Sequence, residues 1–221
     1  MPVNAQGYFN ALRSYLNTAH YEITETDAGR LVLKEKIYPP GITTPVEQRV
    51  RLGVTGEALV INLDKKNRNG NCDPLFHFLN DNAKPWSKRC DYVVFHRFRE
   101  RVSVFCIEFK SATFPDSLVD QLEASESWCR ALHSIIKHYT GTARRLYLTK
   151  YVLSCHSNPA PYLDPARKYL QRDHSIRHYL YQDIDGLALD ALENVMKKPA
   201  KAELLAGITS KAEIAANPAL R

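Results

Sequence analysis

Three charged side chains interrupt two of the most apolar segments of the chain. Asp91 directly precedes the segment YVVF, and Glu108 and Lys110 lie at the end of the segment VSVFCIEFK. Charged groups do not contribute to the packing of a buried strand rich in Val, Ile and Phe, so we interpret these three residues as members of a functional site. Two carboxylates can hold a hard divalent cation, and a neighbouring lysine adds a positive charge beside a bound anion.

The spacing of the two segments predicts that the three side chains meet. A charged turn at Arg99 and Glu100 joins the segments into a β-hairpin. With the turn centred on that pair, Asp91 lies opposite Glu108, and Lys110 shares the face of Glu108 because side chains alternate along a strand. The trio then converges at the end of the hairpin away from its turn. The structural alternative is a surface ion pair between Lys110 and two acids at strand ends.

Hydrophobic periodicity and turn residues predict the elements that must position this hairpin. Before the hairpin we expect a helix over 7–18, strands over 31–37, 50–54 and 58–63, and a short helix over 74–80. The hairpin strands themselves cover 90–97 and 102–110. An amphipathic helix over 116–138 follows, capped by Asp116 or Ser117 and ended by Gly141, and then a strand over 145–153.

The order of these elements is typical of a mixed α/β fold, with a central mixed sheet flanked by helices. Residues 1–153 are predicted to form the core domain, and residues 154–221 a C-terminal helical extension packed on it. Within the extension we expect a helix over 164–171, a strand over 179–184, a helix over 186–197 and a tail after Pro199 that is helical or disordered.

Charge and cysteine content restrict the partners and the compartment. The 221 residues carry a formal charge of +6, which favours an acidic partner such as nucleic acid. Basic clusters flank the hairpin, and those expected to contact nucleic acid are Lys84, Lys88, Arg89 and Arg97. Five cysteines without CxxC spacing favour a reduced, cytoplasmic protein, and no apolar run is long enough for a membrane span. No phosphate-binding glycine loop and no GxSxG motif supports an ATPase or a serine hydrolase.

The charged trio and the helix after it resemble the PD-(D/E)xK nuclease superfamily. The matching residues are Asp91 in CDYVVF, Glu108 and Lys110 in IEFKSA, and Gln121 in DSLVDQLEAS. The resemblance covers about residues 7–153 and implies the restriction-endonuclease-like αβββαβ core. It also implies that Asp91, Glu108 and the backbone carbonyl of Phe109 bind Mg²⁺ or Mn²⁺, that Lys110 positions or activates water, and that Gln121 supports the site or contacts DNA.

One position departs from the superfamily pattern, and the identity of one further acid is left open. Cys90 stands where many members have a proline before the first acid. Some members carry a further acid upstream, for which this chain offers four candidates: Glu22, Glu25, Glu35 and Glu47.

The resemblance leads us to expect a metal-dependent deoxyribonuclease, for example an effector of prokaryotic antiviral defence. A homodimer or a subunit of a larger complex is expected, because cutting both strands of a duplex needs two such sites. RNA is an alternative substrate. The alternative from another class is a catalytically silent nuclease-like fold that binds nucleic acid or a protein.

Overall fold

A computed structural model describes residues 3–22, 26–38, 41–76, 78–80, 84–111, 115, 117–154 and 176–189. Its helices are α1 (Ala5–Tyr15), α2 (Thr18–Tyr21), α3 (Leu118–Thr140) and α4 (Tyr181–Ile184), with a 3-10 turn at Pro85–Ser87. Its strands are β1 (Thr26–Asp27), β2 (Arg30–Ile37), β3 (Val46–Leu52), β4 (Glu57–Asn62), β5 (Tyr92–Phe98), β6 (Arg101–Lys110), β7 (Tyr147–Ser154) and β8 (Ile176–Leu180). No helix of this described part is both long and apolar enough to cross a bilayer.

The strands form two sheets, and the larger one is mixed. Its order is β4-β5-β6-β7-β8. The pairs β4–β5 and β5–β6 are antiparallel, whereas β6–β7 and β7–β8 are parallel. The long helix α3 forms the crossover between β6 and β7, as parallel neighbours require. The predicted α/β class with a mixed central sheet is confirmed.

The hairpin of β5 and β6 has the predicted register. Tyr92 pairs with Ile107 at one end, and Phe98 pairs with Arg101 beside the turn. Arg99 takes a left-handed conformation (φ 53°) in that turn. Asp91 therefore comes immediately before β5, next to the point where β6 presents Glu108.

Helices α1 and α3 cover one face of the five-stranded sheet. The buried stripe of α3, which includes Leu118, Leu122, Cys129 and Ile136, packs in one cluster with residues of α1 and of the central strands. Burial of each large aliphatic side chain contributes about 1.5–3 kcal/mol relative to exposure. The helix begins after Ser117 rather than at 116, and Gly141 ends it with φ 65°.

A second sheet covers the opposite face. Strands β1, β2 and β3 form an antiparallel three-stranded sheet. Leu31, Leu33 and Leu52 on this sheet pack against Val94 and Phe105 of the larger one. The larger sheet is thus buried on both faces, which explains why β5 and β6 are almost continuously apolar.

Several predicted boundaries differ from the structure. Residues 74–76 and 78–80 form turns rather than the predicted helix, with one bond from the N–H of Leu79 to the carbonyl of Phe76 (2.9 Å). A segment of seven residues is too short to hold a helix without strong packing. The predicted helix 7–18 divides into α1 and α2, because the chain is extended at Leu16.

The C-terminal predictions are met only in part by described residues. The predicted strand at 179–184 lies earlier, as β8, because residues 181–184 turn into α4. Within the predicted helix over 186–197, residues 186–188 form a turn and a bridge between Ala188 and Gly53, and Leu189 is helical. The predicted helix at 164–171, residues 190–197 and the tail lie outside the described residues. The domain boundary after 153 stays a prediction, although β8 pairs directly with β7.

Candidate active site

A cleft of about 340 Å³ opens at the end of the hairpin away from its turn. It lies where β2, the start of β5, the end of β6 and the first turns of α3 meet. Its lining residues are Glu35, Lys36, Ile37, Asp91, Glu108, Phe109, Lys110, Ser111 and Gln121. The structure therefore brings Asp91, Glu108, Phe109, Lys110 and Gln121 together in one place.

Backbone hydrogen bonds orient the two predicted metal-binding acids. The N–H of Phe109 donates to Oδ2 of Asp91 (2.7 Å), and the N–H of Asp91 donates to Oε2 of Glu108 (3.2 Å). Each carboxylate is therefore positioned by the strand that carries the other. Both carboxyl groups are fixed to a rigid hairpin, which is how a site holds the accurate geometry that catalysis needs.

Lys110 connects the acids to helix α3. Its Nζ forms an ion pair with Oε1 of Glu108 and donates to Oε1 of Gln121 (3.3 Å). Gln121 Nε2 in turn donates to the carbonyl oxygen of Arg89 (3.4 Å). Gln121 thus supports Lys110 from the helix side, because the amide oxygen faces the ammonium group.

Cys90, the residue before Asp91, is tied to helix α3. Its backbone N–H donates to Oγ of Ser125 on α3 (2.8 Å), and its side chain is fully buried. A proline has no N–H and could not make this bond. The bond ties the residue before Asp91 to the helix that carries Gln121.

The cleft holds the carboxyl groups of Asp91 and Glu108 largely away from water. Burial, reinforced by the charge of Glu108, raises the pKa of Asp91 well above its usual range. Burial also raises the pKa of Glu108, although the ammonium of Lys110 opposes the shift. Both shifts have the same main cause, since burial disfavours the charged form of a carboxyl group.

The structure places one of the four upstream acids, Glu35, in the cleft. Burial raises the pKa of Glu35 as well, and its charge contributes to the raised pKa of Asp91. Glu22 instead pairs with Arg13 (2.8 Å), and Glu47 pairs with Arg49 (2.7 Å). The fourth candidate, Glu25, lies outside the described residues.

A sequence signal for Glu35 exists in the alternation of β2. Leu31, Leu33, Glu35 and Ile37 share one face of this strand, and the three apolar members are buried. A lone acid in an otherwise apolar, core-facing row is a candidate for chemistry by the same argument that selected Glu108. Asp64, which also raises the pKa of Glu108, had no comparable signal because it lies in a polar loop.

The donor set fits a hard divalent cation that uses backbone and water oxygens as well. Asp91 and Glu108 supply two carboxylates, and the backbone carbonyl of Phe109, between Glu108 and Lys110 in the chain, is the predicted third ligand. Among the described residues, no three His, Cys, Asp or Glu side chains form a group able to hold a metal by themselves. Mg²⁺ is commonly bound by one or two carboxylates with the remaining positions left to water and phosphate, so this set suffices.

The predicted nucleic-acid contacts divide into two groups. Lys84 and Lys88 are exposed on either side of the 3-10 turn, and neither is among the residues that line the cleft. Arg89 donates to the carbonyl oxygens of Asp73 (2.7 Å) and Leu63 (3.3 Å), so it holds the adjoining loop. Arg97 pairs with Glu57 (2.8 Å) at the turn end of the hairpin, about 20 Å along the strand from Asp91. The structure does not bring Arg97 to the cleft.

Comparison with known proteins does not assign this site to a family. No family model, no curated protein and no solved structure matches the chain.

The raised pKa values predict how stability depends on pH. In the unfolded chain the carboxyls titrate at about pH 4, so between that pH and their raised pKa values the folded, metal-free protein binds more protons. The free energy of unfolding is therefore expected to fall as pH rises above about 4 and through the folded pKa values of Asp91 and Glu108. Thermal unfolding in chelator from about pH 5 to about pH 8, compared with that of Asp91→Asn, measures this change.

Other groups titrate in the same pH interval, so the test is the difference between the pH profiles of the wild type and of Asp91→Asn. Asp91→Asn removes one of the buried carboxyls and is expected to flatten the pH profile. Mg²⁺ is expected to reverse the loss in the wild type at the upper end of the interval, because it binds the deprotonated carboxylates. Identical profiles for wild type and variant in chelator would contradict the assignment of a raised pKa to Asp91.

Proposed function

We propose that this protein is a metal-dependent nuclease of the PD-(D/E)xK type that hydrolyses phosphodiester bonds of DNA. The observation that carries the proposal is the convergence of Asp91, Glu108, Lys110 and Gln121 in one open cleft. An ordinary surface ion pair does not explain the arrangement. Glu108 is only 1% exposed, and a buried charge is costly unless it is paired or coordinates a metal.

The arrangement of elements supports the same proposal. Taken in chain order, α1, β4, β5, β6, α3 and β7 give the αβββαβ sequence of the superfamily core. Asp91 directly precedes the second strand of that set, and Glu108 and Lys110 lie on the third. Gln121 lies on the helix that follows. The three-stranded sheet is then an insertion between α1 and β4, and β8 extends the parallel side of the sheet.

Four residues of the cleft have a chemical task in phosphodiester hydrolysis. Asp91 and Glu108 would hold Mg²⁺ or Mn²⁺, which when bound neutralises phosphate charge and makes water more nucleophilic. Lys110 places its ammonium beside the scissile phosphate and the attacking water. Gln121 restricts the position of that ammonium through the 3.3 Å contact with Nζ.

The proposal extends to partners and compartment. The exposed Lys84 and Lys88 would contact the phosphate backbone of a bound strand. Double-strand cleavage would require two copies, so we include a homodimer or a larger complex. Cys72, Cys90, Cys106 and Cys129 are free thiols, which suits a reduced compartment such as the cytoplasm, where an antiviral effector would act.

Lys110→Met tests the proposal together with its competitor, a silent fold that only binds nucleic acid. Loss of the ammonium is expected to slow cleavage about 10²-fold, the usual contribution of a positioned catalytic group. The assay incubates supercoiled plasmid, linear single-stranded DNA and RNA with Mg²⁺, Mn²⁺ or chelator. Cleavage that needs the metal and that Lys110→Met impairs supports the nuclease, and the cleaved polymer identifies the substrate.

The matched control is Lys137→Met on the exposed side of α3, which is expected to cleave at the wild-type rate. Binding of nucleic acid without cleavage, equal in all three proteins and in every metal, would identify the silent module instead.

A further inference from the structure

A second polar pocket lies away from the candidate active site. It has a volume of about 60 Å³ and is lined by Arg101, Ser103, Phe105, Tyr147, Thr149 and Arg177. These residues belong to the first half of β6, to β7 and to β8, and none of them lines the cleft. Ser103 precedes Phe109 by six residues along β6, so the two sites are about 20 Å apart along the strand.

The lining of this pocket is selective for an anion. Its lining includes two arginines, Arg101 and Arg177, and two hydroxyl-bearing residues, Ser103 and Thr149. None of the described residues that line it is acidic. Guanidinium groups recognise the oxygens of phosphate by paired, charge-assisted hydrogen bonds, and hydroxyls donate further ones.

Ser103 gives an independent indication that a ligand belongs here. Its side chain is 2% exposed, and Oγ has no hydrogen-bond partner among the described residues. A buried hydroxyl without a partner is unfavourable, so such groups in folded proteins are generally satisfied by water or by a ligand. The pocket that Ser103 lines is several times larger than the space that one water needs.

A ring contact orients one of the two arginines. The guanidinium of Arg101 lies 4.3 Å from the centre of the Tyr147 ring, a cation–π contact that restricts its orientation.

We propose that this pocket binds a single phosphate group, carried either by a nucleotide or by free inorganic phosphate. The small volume admits one tetrahedral oxyanion and not a continuous nucleic-acid backbone. The site is separate from the proposed nuclease function, and either can fail without the other.

Calorimetric titration in chelator tests the proposal with three probes: inorganic phosphate, a nucleoside 5′-monophosphate and the corresponding nucleoside. Phosphate and the monophosphate are expected to bind, and the nucleoside is not. Arg177→Gln is expected to weaken binding about tenfold or more, and Ser103→Ala several-fold, because each removes a hydrogen bond to the phosphate. Arg130→Gln on the exposed side of α3 is the control and is expected to bind as the wild type does.

The relative affinities identify the carrier. Tighter binding of the monophosphate identifies a nucleotide, and equal affinities identify the free ion. Thermal unfolding of Arg177→Gln and Ser103→Ala without ligand verifies that both variants are folded. The proposal is overturned if no phosphate-bearing probe binds the wild type, or if folded Arg177→Gln and Ser103→Ala both bind with wild-type affinity.

Discussion

Asp91→Asn is expected to lower the rate of metal-dependent DNA cleavage at least about 10³-fold, because a metal ligand contributes several kcal/mol to the transition state. The amide oxygen of asparagine can still accept the 2.7 Å hydrogen bond from the N–H of Phe109, so the local backbone is retained. What is lost is the negative charge that holds the cation. The measurement is the single-turnover rate on plasmid DNA at saturating Mg²⁺.

The stability of Asp91→Asn separates this explanation from misfolding. In chelator at neutral pH the variant is expected to be at least as stable as the wild type, because it no longer buries a carboxylate beside Glu108. The matched control is Asp27→Asn on β1, an exposed acid that pairs with Arg51 and is expected to cleave normally. A folded Asp91→Asn variant that cleaves DNA at the wild-type rate would remove Asp91 from the site.

Gly56→Ala is expected to lower the free energy of unfolding by about 3 kcal/mol or more, the combined cost of backbone strain and a steric overlap. Gly56 has φ 91° in the turn that leads from the three-stranded sheet into β4. A Cβ at this position would overlap the carbonyl oxygen of Arg97, close to the turn of the hairpin. The overlap involves backbone atoms, so it cannot be relieved by a side-chain rotation. Urea unfolding followed by circular dichroism measures the change.

Gly29→Ala is the matched control for this prediction. Gly29 also has a positive φ (76°), but nothing lies within 4 Å of the position that its Cβ would take. Its substitution is expected to cost about 1 kcal/mol, the backbone term alone. Equal losses for the two variants would contradict the close approach of the β3–β4 turn to the hairpin.

The part of the site that the sequence predicts is the part made by local pairing. The two-residue turn at Arg99 and Glu100 determines the register of β5 and β6, and that register brings Asp91 next to Glu108. Alternation along β6 then places Lys110 beside Glu108. Gln121 follows from the same logic, because α3 begins a few residues after β6 and must pack back onto it.

The contribution of Glu35 depends on contacts between distant segments and was left open by the sequence. Its place in the cleft requires β2 to lie over the end of β5 and β6, and those strands belong to different sheets. Local patterns indicate that β2 has one apolar face but not which surface covers it. The second polar pocket has the same origin, since the strands that carry Arg101 and Arg177 come into one sheet only through the parallel pairing of β6, β7 and β8.

Short elements were the least predictable. The segment 74–80 has apolar residues at a spacing that suggested a helix, yet its described residues form turns. At this length the backbone gains too few hydrogen bonds to determine its own conformation, so tertiary contacts decide. The boundary between β8 and α4 differs from the predicted strand over 179–184 for the same reason, because tertiary contacts decide the conformation of short elements.

The binding of Mn²⁺ to the protein without nucleic acid tests the central claim most directly. Titration followed by electron paramagnetic resonance counts free and bound ions and needs no substrate, so it is independent of turnover. We expect the wild type to bind Mn²⁺ in the cleft, and Asp91→Asn and Glu108→Gln to weaken that binding about tenfold or more, since each loses a charged ligand. Equal Mn²⁺ binding in all three folded proteins, or none in the wild type, would contradict a cation shared by Asp91 and Glu108.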